Sequence, residues 1–519
     1  MVVMTGSRGI RVRYAGAVNF ASKLVSTLTG LIFVTMVSRR LSEEEFGLWS
    51  FFGVWLQYFV IPSTFVNYWV VRCASRGFRV GKTSLILTSI LTLASMLVFM
   101  VASQYILYSN ISLSYLQAVI MVLLLQIPAE YFASNLDAIA TALAPEFTGY
   151  GGILLEIVKL SSGFILVNYY RLGLVGALLS YVIAKYFYSL FLFIMFRGSF
   201  NGSFDSSLAF KWVKLSWLPA YSIIPGYVRS LETPIITFLI RFPDPSTPFR
   251  VLAHLKAVST ISSVISYAGM LSSALYPKIL SGGSREDVES TLKYVLMFAF
   301  PMVFGVLAMS ETFLSLLRAE YAVSYQALYL GAISVLPSLV AGVLSSAIIG
   351  FERVDVMDNV DLKDYLASKL FTYPSISLAL NVLYIICLYL VFNAVSPFIY
   401  DPSMLVSIWI LLGLIVNLIL CLKFYLDSKR IMGVRFPWAN VSKYMLSSVI
   451  MFSTLYLSGF GAVVSREFVE VFKYSLFGVA LGAMVYGITL MAFDVEFRRL
   501  IQHSISWFRS RIFKGKFIF

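Results

Sequence analysis

Charged residues are scarce in this sequence. Only 13% of the 519 residues are charged, whereas 59% are hydrophobic, and the mean hydropathy is +0.84. A soluble domain has about 25% charged and about 45–50% apolar residues. The composition therefore excludes an ordinary soluble protein and predicts that lipid surrounds most of the chain.

Cysteine, histidine and the common catalytic motifs are also rare or missing. Cys73, Cys387 and Cys421 are too few and too scattered for a disulfide framework or a metal site, and His254 and His503 stand alone. The sequence contains no nucleotide-binding glycine loop, no pair of zinc-spaced histidines and no nucleophile elbow. We therefore expect no metal, no cofactor and no enzymatic activity.

Long continuous apolar runs dominate what is present. They are not the alternating segments of about ten residues that build a membrane β-barrel. Because backbone groups in lipid must be hydrogen-bonded internally, these runs predict helices. We expect an all-α polytopic membrane protein of about 14 transmembrane helices, at 18–38, 48–70, 84–107, 113–135, 147–169, 173–196, 216–240, 250–275, 292–315, 323–350, 371–394, 403–425, 440–460 and 470–493. The linkers between them are too short for a soluble catalytic domain.

The net charge of +14 follows from where the bases lie. With both termini cytoplasmic, the predicted inner segments carry about four times as many lysines and arginines as the outer ones, as the positive-inside rule requires. Bases alternate with aromatic residues in the tail 494–519, which includes Trp507 and Phe508. We expect this tail to lie on the anionic inner leaflet and not on a nucleic acid.

The turn after the first predicted helix carries a recognisable motif. Its residues are Arg39, Leu41, Glu45, Phe46 and Gly47. This Arg-x-Leu-x-x-x-Glu-Phe-Gly turn resembles the end of the first helix in the lipid-linked oligosaccharide flippases. These flippases form the polysaccharide-export branch of the multidrug/oligosaccharidyl-lipid/polysaccharide exporter superfamily.

A second turn, Tyr276-Pro277-Lys278, with Pro301 early in the next helix, is similar to the second half of that family. The resemblance implies two six-helix lobes, 1–196 and 197–425, an extra helix pair at 426–493 and the tail at 494–519. It also implies a monomer of the cell membrane that moves a polyprenyl-phosphate- or pyrophosphate-linked oligosaccharide from the inner to the outer leaflet by alternating access. Such a protein serves the synthesis of surface polysaccharide or glycoprotein, and its partners are the lipid-linked glycan and membrane lipids.

Ionisable residues inside the predicted spans are the candidate site residues, because each costs about 2.5–3.5 kcal/mol at the centre of a membrane. They occur mainly in spans 1 and 4–8, which indicates one shared cavity. Cations outnumber acids among them, which favours an anionic headgroup. We predict that substrate is bound by Lys23, Lys185, Arg229 and Lys256. We predict orienting or ion-coupling roles for Glu130, Glu156, Lys159 and Glu232.

Each of these residues also has a structural interpretation. The pairs Glu156/Lys159 and Arg229/Glu232 are spaced i,i+3, so each can be a local ion pair. Lys23 and Lys256 lie near the ends of their spans and can reach the headgroups, and Glu130 can lie at the membrane interface. Lys185 is far from both ends of its span and needs a partner from elsewhere. Three prolines near Arg229 predict either a bent gating helix or a merely kinked one. A cation-coupled multidrug antiporter of the same fold and a non-transporting scaffold remain alternative functions.

Overall fold

The computed structural model describes residues 12–75, 77–107, 111, 114–214, 216–272, 275–280, 284–352, 366, 368–499 and 502, so most of the predicted tail 494–519 lies outside the described residues. The described residues form helices and no β-strand. In the first half these are α1 (Val12–Arg40), α2 (Glu43–Ala74), α3 (Gly81–Ala102), α4 (Leu116–Leu143), α5 (Glu146–Gly163), α6 (Gly173–Phe196), α7 (Ser206–Lys214), α8 (Trp217–Ser230), α9 (Glu232–Pro234) and α10 (Thr247–Ile265). In the second half they are α11 (Leu275–Leu280), α12 (Arg285–Ala308), α13 (Ser310–Leu317), α14 (Tyr325–Phe351), α15 (Lys369–Val395), α16 (Pro402–Met432), α17 (Trp438–Leu457) and α18 (Phe468–Phe493).

Several helices continue in turns of another pitch. α3, α5 and α9 extend as π-helical turns, at Ser103–Leu107, Phe164–Tyr169 and Ile235–Leu239. Every predicted span overlaps one or more of the helical segments. Within the described residues, ten helices are long and apolar enough to cross a membrane. The chain is therefore a multi-pass membrane protein, whereas the count of fourteen spans and the cytoplasmic termini remain predictions.

The outward faces of the long helices are apolar, as lipid requires. In α3, Leu93, Leu97 and Val101 are 59–65% exposed, whereas Thr88 and Thr92 are buried. The buried hydroxyl of Thr92 donates to the carbonyl of Thr88 one turn earlier, so burial leaves it satisfied. This arrangement, with apolar residues outside and small polar residues inside, is the reverse of a soluble amphipathic helix.

The described chain divides into two compact units. The first contains Met1–Lys256 and Pro374–Tyr400, and the second contains Ala257–Tyr373 and Asp401–Phe519. In the first unit α5 packs between α1 and α6, and α4 packs against α2, α3 and α6. In the second unit α14 packs against α12 and α16, while α17 packs between α12 and α18. The predicted lobe boundaries at 196/197 and 425/426 stay a prediction.

The conspicuous turn between α1 and α2 is a helix cap. The Ser42 hydroxyl accepts from the Glu45 backbone N–H at 3.1 Å, and the Glu45 carboxylate accepts from the Ser42 N–H at 3.0 Å. This reciprocal capping box satisfies two backbone donors that the start of a helix leaves unpaired. Glu45 also accepts from the Tyr115 hydroxyl. Leu41 and Phe46 are buried on either side, so the motif fixes where α2 begins.

The proline-rich segment before Arg241 is an interrupted helix. α8 ends at Ser230, α9 begins at Glu232, and the chain then widens into the π-helical turn that ends at Leu239. Pro234 has no N–H to donate to the preceding turn, which accounts for the irregular backbone at this point. The interruption lies within the predicted proline-rich span, and the bend of this span and its gating role stay predictions.

Candidate functional site

A cavity of about 410 Å³ lies within the first unit, between α1, α2, α4, α6 and the middle of α10. Its walls combine aromatic, polar and charged side chains. They are formed by Phe33, Trp49, Ser50, Gly53, Val54, Leu56, Gln57, Val60, Gln126, Glu130, Leu178, Tyr181 and Lys256. The volume falls within the range of about 300–1,000 Å³ that is usual for small-molecule sites. It is the best candidate site in the described chain.

Helix α2 provides the longest wall. Trp49, Gly53 and Gln57 follow each other at intervals of four residues and so lie on one helix face. A Cβ at Gly53 would meet no heavy atom within 4 Å, so this glycine opens onto free space. Gly47, two residues before Trp49 and so on the other side of α2, is the opposite case, because a Cβ there would overlap the carbonyl oxygen of Phe249. That close approach holds the beginning of α2 against the beginning of α10.

Lys256 projects from α10 to the same cavity. Its Nζ lies 5.5 Å from the centre of the Trp49 ring, within the range of a cation–π interaction. The same part of α10 is also joined to the start of α2, since the Nε2 atom of His254 contacts the Glu43 carboxylate. The packing of α2 against α10 therefore places the Lys256 side chain at the cavity wall.

Lys185 and Glu130 form an ion pair beside the cavity. The Lys185 Nζ lies 2.9 Å from Glu130 Oε2, and the two side chains are 18% and 19% exposed. Glu130 is itself a wall residue, and Lys185 Nζ lies 5.3 Å from the ring centre of Tyr181, another wall residue. The partner that the deep position of Lys185 requires is thus a carboxylate from α4.

The Glu156/Lys159 pair lies elsewhere, between α1 and α5. Lys159 Nζ lies 2.6 Å from Glu156 Oε2, and the Lys159 and Glu156 side chains are 11% and 6% exposed. Both carboxylate oxygens also accept hydroxyl hydrogen bonds from α1, from Ser26 at 2.9 Å and from Thr29 at 2.6 Å. Neither residue lines the cavity, although Lys159 Nζ lies 5.6 Å from the ring of the wall residue Phe33.

The Arg229/Glu232 pair forms a third cluster, at the break between α8 and α9. Arg229 Nε lies 3.5 Å from Glu232 Oε2. Tyr384 of α15 completes the cluster, because its hydroxyl donates to Glu232 and its ring centre lies 3.8 Å from the Arg229 Cζ. The spacing correctly predicted the pair. Arg229 and Glu232 are not among the residues that line the cavity.

Lys23 is an exposed side chain on α1 and also does not line the cavity. Of the eight predicted site residues, the structure therefore places Glu130 and Lys256 in the wall of one cavity, and Lys185 pairs with Glu130. Sequence reasoning missed the neutral polar wall residues Gln57, Gln126 and Tyr181. A signal existed for two of them, because Gln126 and Tyr181 precede Glu130 and Lys185 by four residues and so share their helix faces.

The chemistry of the cavity suits a ligand with negative charge. Lys256 is a basic wall residue, and Lys185 pairs with the wall residue Glu130. Amide and phenol groups on the wall can donate further hydrogen bonds. Across the described residues, no cluster of histidine, cysteine, aspartate and glutamate is arranged to hold a metal ion.

The fold is similar to those of solved transporters of the multidrug/oligosaccharidyl-lipid/polysaccharide exporter superfamily, as the resemblance at the turn Arg39–Gly47 predicted. The chain is similar to the lipid II flippase MurJ in its inward closed conformation, with a TM-score of 0.62 and 15% identity over 93% of this chain and 99% of that one. It is also similar to an inward-facing multidrug resistance MATE family transporter of the same superfamily. Here the TM-score is 0.56, with 14% identity over 79% of this chain and 94% of that one. No protein-family model matches the chain, and no curated protein matches it.

Proposed function

We propose that this protein is a transporter that moves a polyprenyl-phosphate- or pyrophosphate-linked oligosaccharide from the inner to the outer leaflet of the cell membrane by alternating access. Its role would be in the synthesis of surface polysaccharide or glycoprotein. The partners would be the lipid-linked glycan and membrane lipids, and the protein would act as a monomer. The fold shared with a lipid II flippase supports a lipid-linked cargo.

The observation that carries this proposal is Lys256 in the wall of a cavity that mixes apolar, polar and charged side chains, within a unit whose outer surface is apolar. A phosphate-linked lipid cannot cross hydrocarbon unaided, because its charged group would lose its hydration without replacement. Lys256 supplies a compensating charge within the membrane protein. Gln57, Gln126 and Tyr181 supply hydrogen-bonding groups around it.

The size of the cavity limits which part of the cargo it holds. A volume of about 410 Å³ accommodates a phosphate or pyrophosphate and the first sugar, but not a whole oligosaccharide with its isoprenoid chain. In this proposal the headgroup phosphate therefore occupies the cavity. The isoprenoid tail remains in the bilayer, and the outer sugars extend beyond the wall.

Multidrug export is the competing function, and one observation favours it. Trp49, Phe33 and Tyr181 give the cavity aromatic walls, and Glu130 gives it an acid. Such a site can bind an organic cation. The MATE transporter with the same fold makes this a genuine alternative.

Neutralising Lys256 separates the two functions. We expect Lys256→Gln to reduce the flipping rate of a fluorescent polyprenyl-pyrophosphate lipid in proteoliposomes by about tenfold or more, since removing one charge-assisted hydrogen bond costs roughly 1.5–3 kcal/mol. Lys256→Arg should keep part of the rate. The matched control is Lys211→Gln on α7, an exposed lysine away from the cavity.

An unchanged rate for Lys256→Gln would contradict the proposal. Export of an organic cation dye that persists or increases in Lys256→Gln cells, with no lipid flipping by the wild type, would instead identify a multidrug antiporter. The rate is measured by quenching the fluorescent lipids of the outer leaflet with dithionite.

A further inference from the structure

Two glutamate–lysine pairs among the described residues of the first unit have different surroundings. In the pair of Glu156 and Lys159, hydroxyl groups of α1 already bind both carboxylate oxygens, and both charged residues lie on α5. The Glu156 side chain is only 6% exposed. This pair is closed, because neither partner can be reached or replaced without opening the contact between α1 and α5.

The pair of Glu130 and Lys185 is open by comparison. Its partners come from different helices, α4 and α6, so a rotation of either side chain separates the charges without disturbing a helix. Each side chain is nearly one-fifth exposed, and Glu130 lies on the cavity wall. A ligand in the cavity can therefore contact Glu130, the wall residue of the pair, whose carboxylate holds Lys185.

We propose that Glu130 is a tethered substitute for the phosphate of the cargo, which neutralises Lys185 when the cavity is empty and is displaced from it when the phosphate binds. This inference rests on the proposed function, because it names the group with which the cargo competes at that site. A carboxylate and a phosphate oxygen make the same kind of charge-assisted hydrogen bond to an ammonium group. Lysine suits such an exchange, because its ammonium group is a point charge that imposes no fixed fork geometry on its partner.

The need for a substitute follows from the transport cycle. A carrier that works by alternating access must return empty after each delivery. An uncompensated ammonium group on a side chain as shielded as Lys185 is costly, since removing one partner of a buried ion pair leaves a charge that has lost its water. Glu130 keeps the empty cavity compensated and at the same time lowers the affinity for the cargo, which favours its release.

The test measures how tightly inorganic pyrophosphate binds to the purified full-length protein in nanodiscs by isothermal titration calorimetry. Glu130→Gln is nearly isosteric and removes the competing charge. We expect it to lower the Kd for pyrophosphate by about tenfold or more relative to the wild type. Glu130→Asp, whose shorter side chain reaches Lys185 less well, should give an intermediate Kd.

Two further variants identify the origin of the change. Adding Lys185→Gln to Glu130→Gln should abolish the gain in affinity, because the proposed gain comes from a freed Lys185. Asp427→Asn is the matched control. Asp427 pairs with Lys423 at 3.1 Å on α16 and does not line this cavity. The Asp427→Asn variant should therefore bind pyrophosphate with the same Kd as the wild type.

The outcomes separate the inference from the proposed function. If the wild type binds pyrophosphate and Glu130→Gln binds it no more tightly, Glu130 is only a structural partner and the inference is overturned, while the proposed function stands. If neither protein binds pyrophosphate, both are overturned. If Glu130→Gln does not fold, Glu130→Asp decides: a lower Kd supports the inference, and an equal or higher Kd overturns it.

Discussion

At the scale of single residues, Gly53 determines how much room the cavity has. It lies between Trp49 and Gln57 on the cavity face of α2, and a side chain at this position would point into open space. A large residue can therefore be introduced without a backbone clash. This allows the cavity to be filled while the surrounding helices stay in place.

We expect Gly53→Phe to block binding of pyrophosphate and flipping of the lipid while leaving the thermal stability of the protein nearly unchanged. Gly487→Phe is the control, because Gly487 on α18 also has no heavy atom within 4 Å of its Cβ position and does not line the cavity. Binding by calorimetry and unfolding by differential scanning fluorimetry check both variants. A Gly53→Phe protein that binds pyrophosphate normally would show that the ligand site is not this cavity.

The sequence predicted those ion pairs whose two partners lie close together in the chain. The pairs Glu156/Lys159 and Arg229/Glu232 follow from i,i+3 spacing, and both occur in the structure. The partner of Lys185 could not be read in this way, because Glu130 is 55 positions away on another helix. Neutral wall residues such as Gln57 escape notice because they cost far less in a membrane than a charge.

At the scale of helices, the contact between α2 and α10 positions the cavity. Gly47 lets the backbone of α2 approach the carbonyl of Phe249, and the Glu43–His254 contact joins the same two helices. Lys256 follows His254 by two residues, so the position of the Lys256 side chain depends on the close contact between α2 and α10. The glycine in the Glu-Phe-Gly motif is thus required for packing.

Gly47→Ala should destabilise the protein by about 1–3 kcal/mol, because the added methyl group overlaps the Phe249 backbone and forces the helices apart. Gly30→Ala on α1 is the opposite case. Its Cβ position has no neighbour within 4 Å, so the higher helix propensity of alanine should stabilise the protein by up to about 1 kcal/mol. Thermal unfolding in detergent measures both, and equal shifts would contradict the role assigned to Gly47.

Helix positions were the most predictable part of the fold. A continuous apolar run that is long enough to cross a membrane predicts a helix, and each predicted span overlaps a helix. The irregular continuations were not predicted, for example the π-helical turn Phe164–Tyr169 after α5. Such turns depend on packing against neighbouring helices, for which an apolar run carries no signal.

At the scale of the whole molecule, each unit presents lipid with an apolar surface. Exposed leucine and isoleucine side chains cover α15 in the first unit and α16 in the second, including Leu390 and Leu418. The sequence predicted this surface from composition alone. The direction in which each helix crosses the membrane rests on the charge of the loops and needs a direct test.

Loops on opposite sides can be told apart by cysteine labelling in a variant that lacks Cys73, Cys387 and Cys421. A cysteine replacing Phe398, which is 80% exposed beyond α15, should react with an impermeant maleimide in intact cells. A cysteine replacing Gly202, in the exposed loop before α7, should react only after permeabilisation. Reaction of both in intact cells would show that the spans have been counted wrongly.

The small volume of the cavity has a consequence for the range of glycans that the protein can carry. A carrier that encloses about 410 Å³ around a phosphate has no surface left with which to read the order of the sugars beyond it. In the proposed function, the identity of the exported glycan would then be decided by the glycosyltransferases that assemble it. One such carrier could serve glycans that diverge freely between strains, and an exchanged glycan pathway would not require a new transporter.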